Sequence, residues 1–245
     1  MPTVLSAFAI LTPIHINNVR RLERGYFMRI EQPEGKRGSL KWIQRLVEYH
    51  SSSLDDALRV TGALSNGRHI DWLSPLREDK WAEYRDVQWL KKIGQVHLSP
   101  VLKKFWPRRG PQWDALAKDE TGRVFLFEAK AHSNEMSSTC QAGIASKRII
   151  TSSLDHAKTQ LGAKADADWL CGYYQYANRL AHLCMLREHG VDAWMVFLYF
   201  FGDTDMQGPE SEVEWRPHID VAHRHLGLSS HTSHVVTLFH GVGNL

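Results

Sequence analysis

The stretch PQWDALAKDETGRVFLFEAKAH, residues 111–132, reads as a β-hairpin. Gln112 to Ala117 is a short apolar-rich run, Lys118 to Gly122 is turn-like, and Val124 to Ala131 returns as a strand. Side chains alternate along a strand. Val124, Leu126, Glu128, Lys130 and His132 therefore share one face, and Phe125, Phe127, Ala129 and Ala131 share the other. Folding the hairpin near Glu120 or Thr121 sets Asp114 opposite Phe127 or Glu128. Two carboxylates and one ammonium then converge, a donor set suited to a divalent cation beside a phosphate.

The chain before the hairpin reads as helical. Residues 1–38 form an arm with a Pro-containing apolar start, Arg20, Arg21 and Arg24, and a polar turn ending at Gly38. Ser39 is the expected N-cap of a helix to Tyr49, with Leu40, Ile43, Leu46 and Val47 at helical spacing. A second helix is expected from about Ser53 to Ala63, so residues 39–75 make a helical lead-in. A third is expected from Leu76 to Ile93, opened by Ser74 or Pro75. Its stripe Leu76, Glu83, Val87 and Leu90 contains one acid, which sits either at the stripe's boundary or inward at a site. Val96 to Trp106 suits a strand or a short helix. Lys103, Lys104, Arg108 and Arg109 flank Phe105 and Trp106, a basic aromatic loop placed to contact phosphate.

After the hairpin, Ser133 to Ala145 is polar and loop-like, and Lys147 to Gly162 is helical. Asp166 or Asp168 is the expected cap of a helix to Glu188, ended by Gly190. Gln175, Arg179 and His182 fall together on one face of it, read as solvent exposure ahead of a substrate-facing row. Ala193 to Phe201 is a continuous apolar run, the mark of a strand buried on both faces. Glu212 to Leu226 is helical with Pro217 limiting its start, and His234 to His240 is a last strand. This order gives a three-layer α/β protein with a mixed central sheet.

Composition sets the class. The 245 residues, 43% hydrophobic and 23% charged, suit one large domain or a core with an appendage. A net charge of +3 permits nucleic-acid binding without implying it. Cys140, Cys171 and Cys184 show no CxxC spacing and read as reduced cysteines. His223, His225, His231 and His234 lie close in sequence, yet no cysteine or second spaced pair completes a zinc site. No apolar run is long enough to span a bilayer, and the N-terminal run has no basic region before it, so a cytoplasmic protein is expected. GxxxxGK[ST], GxGxxG and GxSxG are all absent, which removes the usual sequence support for triphosphate hydrolysis, dinucleotide binding and α/β-hydrolase chemistry.

Pro111-Gln112-Trp113-Asp114, thirteen intervening residues, then Glu128-Ala129-Lys130 resembles the PD-(D/E)xK nuclease superfamily. Gln112 and Trp113 separate Pro111 from Asp114, a departure from the contiguous Pro-Asp of that pattern. The resemblance covers about residues 76–201 and implies a restriction-endonuclease-like core running helix, three strands, helix, strand. Helix 76–93, a strand near 96–102 and the hairpin would supply its first part, with residues 1–75 as an N-terminal helical extension and 76–245 as the nuclease-like domain. It further implies hydrolysis of DNA with Mg²⁺, or Mn²⁺ in its place. Asp114 and Glu128 would be metal ligands, Lys130 would act on the attacking water or the phosphate, and Glu83 would be the acid some branches carry on the first helix. Arg108, Arg109, His132 and Gln175 are the candidate substrate contacts. A non-catalytic module of the same fold, binding nucleic acid or a protein partner, is the competing reading, and the lead-in suits a dimer surface, a DNA contact or packing.

Overall fold

The structure is a computed structural model that describes residues 29–229 and 231–245. The arm expected at 1–38 thus lies mostly outside the described residues. Its end forms a two-residue strand, β1 (Arg29–Ile30), and leads into α1 (Gly38–Tyr49) and the short α2 (Asp55–Val60). Trp42, Ile43, Leu46 and Val47 recur at helical spacing and form the buried face of α1. Ser39 does not cap this helix: extended Arg37 holds the cap position with no side-chain hydrogen bond.

Next comes β2 (Ile70–Ser74), inside the segment read as a helical lead-in. β2 is the outer strand of a five-stranded sheet, so α1 and β2 belong to the layered core and make no helical extension. Asp55 ties α2 to this strand by accepting hydrogen bonds from His69 Nδ1 and from the Ile70 amide.

The expected helix 76–93 is broken into a single 3₁₀ turn, β3 (Glu83–Tyr84) and α3 (Val87–Lys92). Two lateral attachments compete with helical hydrogen bonds there. The Asp79 carboxylate gathers Arg29, Tyr84 and Lys92. β3 pairs antiparallel with β1, and the Tyr84 carbonyl accepts the Trp113 amide at 3.1 Å. Lys80, Trp81 and Asp86 adopt positive φ angles of 53°, 54° and 50° to make the turns. Residues 96–102 hold no strand; a 3₁₀ turn runs into α4 (Ser99–Phe105), with Pro100 in its first turn.

The hairpin forms as β4 (Ala115–Asp119) and β5 (Val124–Lys130). α5 (Ile144–Leu161) ends at left-handed Gly162. α6 (Tyr174–Glu188) begins later than expected, because Asp168 spends its Oδ1 on the amides of Leu170 and Cys171 in a turn. β6 (Ala193–Phe201), α7 (Glu212–Leu226) and β7 (Val235–Gly241) follow closely the runs read from sequence. α7 continues through Pro217 after capping by Ser211, whose hydroxyl accepts the Glu214 amide.

Strand order is β2-β4-β5-β6-β7. β2, β4 and β5 are antiparallel neighbours, while β6 and β7 run parallel to β5. One face of β5, with Phe125, Phe127, Ala129 and Ala131, packs under α1. The other, with Val124 and Leu126, packs under α3 to α7 through Trp89, Leu102, Leu154, Leu180 and Trp215. Both faces are covered, so any charge on β5 needs a partner within the protein. No described helix is long and apolar enough to cross a membrane.

Phe127 is fully buried on the α1 side, with its ring centroid 4.8 Å from that of Trp72. Phe127→Ala is expected to destabilise the fold by about 3–5 kcal/mol, read from the urea midpoint at constant m-value. A loss under about 1 kcal/mol would contradict this packing.

Candidate active site

Register places the acids. Ala115 pairs with Phe127 and Leu116 with Leu126, so the next step along the ladder sets Asp114 against Glu128. The turn locks this alignment: Asp119 Oδ1 accepts hydrogen bonds from the amides of Thr121 and Arg123 at 2.9 Å each. At the open end of the hairpin, Asp114 Oδ2 accepts the Ala129 amide at 2.8 Å. Asp114 is thereby held against the Glu128-Ala129-Lys130 backbone.

Glu128 is 2% exposed and carries a cation on each oxygen. Lys130 donates to Oε1, and Arg179 Nε donates to Oε2 at 2.6 Å. Arg179, itself 3% exposed, comes from the first turns of α6. The sequence predicts a solvent-facing row there. The reverse holds for Arg179 and His182. His182 is fully buried among Trp89, Phe105, Trp106 and Trp113, and burial pushes its pKa down to about 3, so it stays neutral. A signal was present: from Leu180 to Leu186 the helix is apolar on all sides except His182, the pattern of a buried helix.

Three carboxylates, Glu83, Asp114 and Glu128, face two cations, Lys130 and Arg179. Burial raises the Asp114 pKa well above the usual carboxylate range, and the Glu128 charge pushes it further. Burial also acts to raise Glu128, but Arg179 and Lys130 outweigh it and hold that acid ionised below its usual range. Lys130 is raised, because Glu128 and Asp114 overcome its desolvation. Glu83 is raised by burial, against hydrogen bonds from the amides of Gln112 and Gln32. It reaches the site from β3 instead of from a helix.

A cleft of about 530 Å³ opens beside this cluster, with Glu83, Arg109, Gln112, Asp114, Gln175 and Arg179 in its walls, while Glu128 and Lys130 are not among its lining residues. Gln175 lines it, with its backbone amide held by Ser138 Oγ at 2.8 Å. Arg109 stands exposed at the lip on a left-handed backbone (φ 67°). The Asp86 carboxylate holds that lip by accepting the amides of Arg109 and Gly110 at 3.1 and 2.9 Å. Arg108 is exposed beside it. His132 is not in the cleft wall; its ring Nδ1 accepts the Asn134 amide at 3.0 Å and caps a short turn.

Among the described residues no group of three or more His, Cys, Asp or Glu side chains is placed to hold a metal ion. Asp114 and Glu128 make a two-carboxylate set of hard oxygens. That suffices for Mg²⁺, which retains several waters.

Asp114→Asn keeps an oxygen for the Ala129 amide and removes the strained charge. A raised folded-state pKa stabilises the wild type below the unfolded value near 4 and is lost as pH rises toward the folded pKa. Without added metal, the Asn variant is therefore expected to be the more stable protein at pH 7, with the gap closing near pH 4, as read by urea midpoints across pH. Against known proteins, the chain matches no family model, no curated protein and no solved structure, so the chemistry of the site rests on its own residues.

Proposed function

We propose that this protein is a metal-dependent phosphodiesterase acting on DNA, of the PD-(D/E)xK nuclease type. The observation that carries the reading is the cross-strand pairing of Asp114, which lines the cleft, with Glu128-Ala129-Lys130, of which Glu128 and Ala129 are buried. The order of elements supports a restriction-endonuclease-like core. α1 precedes three antiparallel neighbours, β2, β4 and β5; α5 and α6 follow, and β6 then joins parallel to β5. β2, at residues 70–74, takes the place that the segment 96–102 was expected to fill.

In this reading Asp114 and Glu128 would hold Mg²⁺ or Mn²⁺, which would supply Lewis acidity toward a phosphoryl oxygen. Lys130 neutralises charge growing on the phosphate or orients the attacking water. Gln175 and Arg109 bracket the cleft where a strand would enter, with Arg108 beside them. Exposed Lys103 and Lys104 on α4 extend the basic side toward a phosphate backbone. Three free cysteines agree with a reducing, cytoplasmic setting.

One observation favours a second reading. Both Glu128 oxygens are already occupied by cations, an arrangement that also suits a nuclease-fold module that binds nucleic acid or a protein without cleaving.

Calorimetric titration with Mg²⁺ and Mn²⁺ is expected to show binding by the wild type and its loss in Asp114→Ala. Equal binding by the two would sink the metal site. On duplex, single-stranded and branched DNA, Asp114→Ala and Lys130→Ala are each expected to slow cleavage by about 100-fold or more. DNA binding that persists without cleavage in any metal would favour the module instead.

A further inference from the structure

Arg179 does more than neutralise Glu128. Its guanidinium is anchored at four points. Nε donates to Glu128 Oε2 at 2.6 Å, Nη2 to the Gln112 carbonyl at 2.7 Å and Nη1 to Asn178 Oδ1 at 2.8 Å, while the fork lies over the Trp113 ring at 5.0 Å. Gln112 and Trp113 immediately precede Asp114. One side chain therefore grips the backbone leading to the first acid and the carboxylate of the second, at the point where the two strands carry them. Asp114 returns the tie by accepting the Ala129 amide.

The two oxygens of Glu128 are consequently unequal. Oε2 belongs to a fork whose donors are fixed in one plane and committed in three directions. Oε1 belongs to Lys130, a point charge on a single stem rather than a fixed fork. We infer that Arg179 is a positioning residue that fixes the Glu128 carboxylate, with Oε1 presented toward a divalent cation shared with Asp114; this rests on the nuclease reading above. A planar fork is required for the task. A lysine at 179 would retain the charge but not the simultaneous hold on Gln112, Asn178 and Glu128.

Arg179→Lys separates geometry from charge. Mn²⁺ affinity by calorimetry is expected to weaken about tenfold and kcat on DNA to fall about tenfold or more, with KM changed by less than about threefold, as for residues that orient metal ligands. Thermal melting and far-UV circular dichroism check that the variant is folded. Asn178→Ala removes one brace and leaves the Arg179–Glu128 pair, and is expected to shift the same two quantities in the same direction by less. A folded Lys variant with wild-type Mn²⁺ affinity and kcat overturns the inference while the nuclease reading stands. Where the Lys variant does not fold, unchanged Mn²⁺ affinity and kcat in Asn178→Ala overturn it equally. A wild type that neither binds Mn²⁺ nor cleaves DNA removes the nuclease reading and this inference with it.

Discussion

The ion triad Lys130–Glu128–Arg179 is the constraint on which the rest of the site depends. Glu128 lies on β5, the central strand, with helices over both faces. A carboxylate taken from water at such a place loses several kcal/mol of hydration unless cations and hydrogen bonds replace it. Two cations meet it here, one from its own strand and one from α6. The triad is not free stabilisation, since a well-packed apolar side chain would serve the fold as well or better.

The same logic explains why α6 packs where it does. Its N-terminal turns must deliver Arg179 to β5 while the aromatic shell around His182 fills the space behind. Trp113 serves both sides, lying under the guanidinium and against Trp89. Packing and electrostatics thus converge on the residues just ahead of Asp114. Displacing that indole would disturb the acid's placement as well as the core.

Legibility followed the strength of local patterning. The period-2 alternation of β5, the unbroken apolar run of β6 and the Gly-terminated α5 and α7 were open to reading, because each element's own residues dictate its conformation. Residues 76–93 were not. Leu76, Val87 and Leu90 carry helical spacing, but Asp79 is drawn to Arg29, and Tyr84 to Trp113, through pairings that no local window contains. β2 escaped for a related reason: five residues with a mixed burial pattern take their identity from β4 alongside. Asp114, Glu128 and Lys130 were brought together as their register implied, whereas Arg179 looked like one more surface cation on a long helix. Only the burial of that helix on nearly every side shows that its arginine has to face inward.

The β1–β3 ribbon extends the reach of the N-terminal segment. Gln32, only two residues beyond β1, places its amide on Glu83 at 3.0 Å, and its backbone amide holds the Lys80 carbonyl at 3.2 Å. Gln32 is in effect a tethered ligand of the cleft, supplied at high effective concentration by its own chain. The acidity of Glu83 is therefore adjustable from outside the sheet. Losing the Gln32 hydrogen bond would remove one of the contacts that lower the Glu83 pKa.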